Sequence, residues 1–190
     1  MSLLRRLGTD NQAELVLLAA AELQAGGAVI LPTDTVYGLA TLPAYTDLLF
    51  ELKQRPSDKA VAILIGEPED AIQFFEPCRV ARELIQKHWP GALTIVQDGY
   101  GVRCADHGFV RALTKQVGPI ATTSANLSGE PTPETAIEAA AAFSDVQLVI
   151  DGGQLQMLAS TVIEVTQNNI KILRQGSVQV EAVKLTGGGG

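Results

Sequence analysis

Two short segments carry side chains that could handle an anionic ligand. In Ile120 to Gly129, IATTSANLSG, an apolar start gives way to small hydroxyl and amide side chains and then glycine, the pattern of a strand leaving a core for a polar loop. Ser124 and Asn126 stand two apart there, so on extended backbone both leave the same face. In Lys53-Gln54-Arg55 the same spacing sets out two cations, and Lys59 adds another shortly after. Neutral donors and acceptors from one segment and fixed positive charge from the other would together suit a nucleotide. Spacing alone leaves a plainer alternative open, a polar loop and a solvated basic turn.

Other polar residues stand out against apolar surroundings. Thr33-Asp34-Thr35-Val36-Tyr37-Gly38 follows a buried strand that stops at Pro32. In α/β sheets the C-terminal ends of strands usually hold ligands, although ordinary turn chemistry also explains Thr33 and Thr35. Arg103 falls in mid-strand, where an arginine either faces water or points into a site whose anion compensates its desolvation. Cys78, His88, Cys104 and His107 lack the close paired spacing of a structural zinc site, so no metal ligands are assigned.

The elements that must position these residues alternate between strands and helices. Helical spacing runs from Thr9 to Leu23 through Ala13, Val16, Leu17, Ala20 and Leu23, with cap candidates in Thr9 to Asn11 and an end at Gly26-Gly27. Ala28 to Leu31 reads as a strand, Tyr45 to Leu52 as a helix with Leu48, Leu49 and Leu52 inward, and Val61 to Ile65 as a strand. Glu67 to Phe75 and Pro77 to His88 read as helices, the second with Val80, Leu84 and Ile85 inward. Ala92 to Gln97 and Tyr100 to Ala105 are strands joined by Asp98-Gly99, a strong hairpin signal. Asp106 is placed to cap a helix to about Val117, and Thr132 with Pro133 to open one to about Phe143. Val146 to Ile150 is a buried strand, and Thr161 to Val165 with Ile170 to Arg174 forms a hairpin. The sum is an α/β single domain with a twisted mixed β-sheet and flanking helices, over residues 1–186, and a flexible glycine tail at 187–190.

Composition narrows the function classes. The 190 residues are 46% hydrophobic and 18% charged, enough apolar material for one globular core. A net charge of -7 argues against a surface built for a phosphate backbone, so any nucleic-acid contact would be a local patch. Polar residues from Thr9 to Glu14 interrupt any signal-peptide core, no apolar run reaches membrane-spanning length, and two cysteines fit a reducing compartment. The expected location is the cytoplasm.

Seven blocks in order, PTDTVYGL (Pro32 to Leu39), LKQRPSDK (Leu52 to Lys59), WPGALTIV (Trp89 to Val96), VRCADH (Val102 to His107), TSANLSG (Thr123 to Gly129), STV (Ser160 to Val162) and ILRQG (Ile172 to Gly176), resemble the YrdC-like threonylcarbamoyl-AMP synthase family in its short, single-domain form. The resemblance implies a concave, positively lined cavity in the sheet and a nucleotidyl-transfer reaction. In it L-threonine, bicarbonate and ATP, the last carrying Mg²⁺, give threonylcarbamoyl-adenylate and pyrophosphate for the threonylcarbamoyladenosine of tRNA. It implies catalytic roles for Lys53 and Arg55, and nucleotide contacts from Lys53, Arg55, Lys59, Ser124, Asn126 and Arg174. It assigns Thr33, Thr35, Tyr37, Arg103, Ser160 and Thr161 to the threonine end, and a downstream tRNA threonylcarbamoyl-transferase complex as partner.

The chain departs from that pattern in places. The connections from Gly38 to Lys53 and from Val96 to Arg103 are short for the family, Ala-Val follows Lys59 where Pro-Leu is usual, and Ala105 and Gln175 replace prolines. Two alternatives therefore stand beside the synthase: an RNA-binding module of the same fold, and a paralogue that handles carbamoyl-adenylate without threonine.

Overall fold

The computed structural model describes residues 2–54, 61–155, 158–167 and 169–180. The first half runs β1 (Leu3–Arg6), α1 (Gln12–Gln24), β2 (Val29–Leu31), β3 (Gly38–Thr41), α2 (Thr46–Leu52), β4 (Ala62–Ile65) and α3 (Arg79–His88). The second runs β5 (Leu93–Gln97), β6 (Tyr100–Cys104), α4 (Gly108–Val117), β7 (Ile120–Ser124), α5 (Ala136–Ala142), β8 (Leu148–Asp151), β9 (Thr161–Thr166) and β10 (Asn169–Arg174). All strands join one 10-stranded sheet in the order β1-β8-β2-β3-β7-β4-β6-β5-β9-β10. It is mixed: β1 and β2 pair parallel with β8, β4 with β6 and β5 with β9, while the remaining neighbours are antiparallel.

Side chains alternate across a strand, and this sheet uses the alternation differently in its two halves. Along β2, Val29 and Leu31 enter a core with Leu15, Ala19 and Leu23 of α1 and Phe109, Val110 and Leu113 of α4. Ile30 points the other way, toward Leu49 of α2 and Ala136 and Ala139 of α5. Both faces are thus covered, and each large side chain buried there contributes about 1.5–3 kcal/mol. Farther along the sheet, Leu93 and Ile95 of β5, Val102 and Cys104 of β6 and Ile163 of β9 pack with Val80, Ala81 and Ile85 of α3. The residues between them, Thr94, Val96, Gly101, Arg103 and Val162, face a cavity lined by no residue of a described helix.

The hairpin at Asp98-Gly99 fixes which side chains share that open face. Both residues have positive φ, 52° and 85°, as a two-residue turn of this twist requires. The turn pairs Gln97 with Tyr100, Val96 with Gly101 and Ile95 with Val102. Thr94 and Arg103 therefore project to the same side, and a one-residue slip would send them to opposite faces, one of them into the apolar core.

Several expectations from sequence need correction. The inward stripe of α1 is Leu15, Val16, Ala19, Ala20 and Leu23, whereas Ala13 and Leu17 are exposed. That helix is apolar almost all round, so periodicity did not single out the face that packing on α4 selects. Asp106 does not cap α4: His107, with extended backbone, occupies the N-cap, and Asp106 lies one residue outside at a bend. The cap of α5 is Thr135, not Thr132, because Thr135 and Glu138 form a reciprocal capping box. The helix expected from Glu67 is a 3-10 stretch, Pro68–Gln73. Strands β1 and β3 had no local signal, since each is defined by its sheet partner. The glycine tail expected at 187–190 lies outside the described residues.

Candidate active site

The open face bounds a cavity of about 260 Å³. Of the residues expected to bind ligand, Thr33, Thr35, Arg103, Ser124, Ser160 and Arg174 line it. Gly38, where β3 begins, keeps the floor low: a Cβ there would come within 2.9 Å of Thr122 Oγ1.

Arg103 enters from β6 with 5% exposure. Its Nε donates to Gly91 O at 2.9 Å, Nη1 to Thr35 Oγ1 at 3.0 Å and Nη2 to Asp34 Oδ1 at 2.5 Å. The anion that compensates this buried charge is therefore supplied by the chain itself. The loop that presents Asp34 is built by Thr33, whose Oγ1 donates to Val36 O at 2.7 Å and accepts from the amides of Thr35 and Val36 at 3.1 Å each. The proton of that hydroxyl goes to Val36 O and its lone pairs to donors of the loop, so Thr33 is committed to the loop. Thr35 accepts from Arg103 and lies with its Oγ1 3.0 Å from Thr33 Oγ1; since the Thr33 proton goes to Val36 O, Thr35 is the donor in that contact.

Tyr37 anchors the same loop from below. Its hydroxyl donates to Gly153 O at 2.6 Å and accepts from Gly152 N at 3.1 Å, and burial pushes its pKa up to about 12. Expected at the threonine end, Tyr37 is fully buried and does not line the cavity. Thr161, also expected at that end, is likewise absent from the cavity lining. Its Oγ1 donates to Val178 O at 2.6 Å and accepts from Gly176 N at 2.9 Å and Val178 N at 3.1 Å, so it clamps the segment after β10.

Arg174, exposed at the end of β10, turns its guanidinium onto Ser160: Nε and Nη2 donate to Ser160 O at 3.2 and 2.9 Å, and Nη2 also to Ser160 Oγ at 3.1 Å. Burial of the guanidinium, and then the charge of Arg103, hold its pKa below the usual arginine range.

The two segments chosen on spacing meet in space. Lys53, at the C-terminus of α2 and 3% exposed, donates from Nζ to Ser124 O at 2.6 Å. Arg55 and Lys59 lie outside the described residues. Asn126 departs from the expected common face, because β7 ends at Ser124 and the chain bends at once. Its Nδ2 donates to Leu127 O at 2.9 Å and Glu130 O at 2.8 Å, while its Oδ1 is buried without a partner.

Sequence reasoning passed over Asp34 and Thr94. Asp34 had a signal, an acid directly after a buried strand in a chain with one mid-strand arginine, but nothing local joins residues so far apart. Thr94 interrupts the apolar run of β5, and its Oγ1 lies 3.0 Å from Ser160 Oγ. No group of three or more His, Cys, Asp and Glu suited to a metal ion occurs among the described residues.

Fold and site define an α/β protein whose mixed sheet carries, on a face that no described helix lines, a cavity holding Arg103 and Arg174. Residues 21–176 match the Sua5/YciO/YrdC family, described as "Telomere recombination", and the chain belongs to that family. It is 33% identical over 189 residues to the Rattus norvegicus threonylcarbamoyl-AMP synthase, covering 86% of this chain and 67% of the relative. To the threonylcarbamoyl-AMP synthase of Bacillus subtilis (strain 168) it is 34% identical over 191 residues, covering 87% of this chain and 55% of that one. The P. abyssi Sua5 structure complexed with L-threonine superposes with a TM-score of 0.80 at 30% identity, over 93% of this chain and 57% of that chain. E. coli YciO, at 23% identity, shares the fold with a TM-score of 0.85 over 95% and 98% of the two chains. Among the described residues no helix is long and apolar enough to cross a membrane.

Proposed function

We infer that the chain makes threonylcarbamoyl-adenylate from ATP, L-threonine and bicarbonate. The threonine amine adds to the bicarbonate carbon with loss of water, a carbamate oxygen then bonds to the α-phosphorus, and pyrophosphate leaves. This chemistry asks the protein for position and charge more than for a nucleophile. The observation that carries the reading is the contact between Lys53 and the Ser124 carbonyl, which joins a cation to the strand end beside a cavity holding Arg103 and Arg174. Family membership, and the L-threonine bound by P. abyssi Sua5, support the substrate.

In this reading Lys53, with Arg55 and Lys59, neutralises the triphosphate, each contact being a charge-assisted hydrogen bond of about 1.5–3 kcal/mol. Ser124 and Asn126 hold the nucleoside side; the unpartnered Asn126 Oδ1 is an acceptor that a ligand hydroxyl or amine would satisfy. Arg174 closes on the nucleotide. Arg103 takes the threonine carboxylate, with Thr35 and Ser160 beside it, while Tyr37, Thr33 and Thr161 shape the walls. Mg²⁺ enters with the triphosphate as part of the substrate, held by phosphate and water. The product is a reactive mixed anhydride, so a transferase acting on tRNA must consume it. We place the reaction in the cytoplasm, where the free Cys78 and Cys104 stay reduced.

Pyrophosphate release by the purified chain with ATP, Mg²⁺ and bicarbonate, with and without L-threonine, tests this. Release that requires threonine and is lost in the Lys53→Ala, Arg55→Ala double variant is expected. Release indifferent to threonine would move the chain to carbamoyl-adenylate chemistry, and ATP binding with no release would remove the enzyme reading.

A further inference from the structure

We propose that the Thr94–Ser160 hydroxyl pair reads the side chain of the amino-acid substrate, which makes Thr94 a specificity-determining residue. The proposal rests on the functional reading above and deepens it. Thr94 lies in the middle of β5, only 3% exposed, with Ser160 Oγ 3.0 Å from its hydroxyl and with its side chain on the cavity wall. Ser160 Oγ also accepts from Arg174 Nη2 at 3.1 Å.

A donor inventory gives the pair its chemistry. Two hydroxyls hold two protons and four lone pairs. Their mutual bond uses one proton and one lone pair, and Arg174 takes a second lone pair. Whichever hydroxyl donates to the other, one donor and two acceptors remain on this wall. A ligand hydroxyl, which both donates and accepts, satisfies such a pair; a methyl or methylene group leaves it unmatched in a desolvated place.

The surroundings complete the match. Val162 is the register partner of Thr94 across β5 and β9, and it lines the same cavity with Val96 and Leu64. Branched apolar surface beside a hydroxyl pair fits a substrate carbon that carries one hydroxyl and one methyl. Valine has the same outline with the hydroxyl replaced by a methyl, so it fills the space and leaves the pair unpaired. A site built to hydrogen-bond a hydroxyl rejects such an analogue far better than an apolar pocket rejects one lacking a methylene.

The experiment measures kcat/KM for pyrophosphate release with L-threonine and with L-valine, for the unaltered chain, Thr94→Val and Thr94→Ser. Thr94→Val keeps the β-branched shape that suits a strand and removes only the hydroxyl. The threonine-over-valine ratio is expected to fall about tenfold in Thr94→Val, the worth of one neutral hydrogen bond, with KM for ATP unchanged. Thr94→Ser, which restores the hydroxyl, is expected to keep the original ratio. If Thr94→Val slows both substrates equally, or Thr94→Ser loses the ratio as fully as Thr94→Val, Thr94 only shapes the wall and the proposal fails. An unaltered chain with no threonine-dependent release at all would instead defeat the synthase reading, a result separable from these.

Discussion

Arg103 reaches the cavity from the middle of the sheet and Arg174 from its last strand, and their partners differ in charge. Arg103 gives one nitrogen to the Asp34 carboxylate and its others to Thr35 and Gly91. Among the described residues, Arg174 donates to neutral acceptors, the carbonyl and hydroxyl of Ser160. Arg103 is thus compensated before any ligand arrives, and a threonine carboxylate would meet it through the two N–H groups that these three contacts leave over. Arg174 carries charge that a ligand anion would neutralise, and the neighbouring Arg103 makes that charge harder to keep.

The largest expected effect comes from removing the compensation. In Asp34→Asn the Arg103 guanidinium stays buried beside a neutral amide, and breaking a buried pair in this way costs about 3–5 kcal/mol of folding stability. Denaturant unfolding measures the loss, and added L-threonine should recover part of it if its carboxylate takes the vacated nitrogen. A loss below about 1 kcal/mol, the range of exposed pairs, would mean that the two sides of the cavity do not differ as described.

Arg174→Ala should show the opposite profile. An exposed residue with neutral partners contributes little to folding, within about 0.5 kcal/mol. The missing charge-assisted contact should raise KM for ATP by about 10–150-fold, the equivalent of roughly 1.5–3 kcal/mol. If stability falls and KM does not change, Arg174 is holding β9 and β10 together and does not meet the nucleotide.

The difference between the arginines also marks where the sequence was readable. For Arg103 the sequence left two cases, an arginine facing water or one entering a site with an anion; the family resemblance favoured the second, and the Asp98-Gly99 hairpin fixes the register that sets its face. That the anion would be Asp34 was not legible, since Leu31 to Asp34 and Tyr100 to Cys104 meet only through a sheet order that no local pattern encodes. Lys53 and Ser124 were legible as chemistry through their spacing, and their joining through a backbone carbonyl was not. Tyr37 and Thr161 show the reverse case. A motif that groups them with substrate residues cannot distinguish a hydroxyl facing ligand from one holding the backbone behind it, and here both hold backbone.

Those two hydroxyls give a finer comparison, because each clamps one side of the cavity. Thr161→Val removes the single group that serves Gly176 N, Val178 N and Val178 O. Water can reach partly exposed Val178, so a loss of about 1–1.5 kcal/mol is expected, near the net worth of one hydrogen bond. The effect on activity should fall on the side that holds Ser160 and Arg174, as a raised KM for ATP. Lost stability with an unchanged KM for ATP would mean that the clamp holds the segment after β10 without positioning Ser160 and Arg174.

The Tyr37 clamp makes its prediction through pH. Burial raises the phenol from its model-compound value of 10.0 to about 12, so between those limits the folded chain keeps a proton that the unfolded chain has released. With more protons bound to the folded state, stability must fall as pH rises through that window, while below it the contribution is fully present. The loop that carries Asp34 and Thr35 is the part being loosened, because the phenol proton is the one donated to Gly153 O. Tyr37→Phe has no phenol to titrate, so its stability should fall less steeply than that of the unaltered chain from about pH 10 to about pH 12. Parallel decline of the two proteins would mean that the ring's packing anchors the loop and that its proton does not.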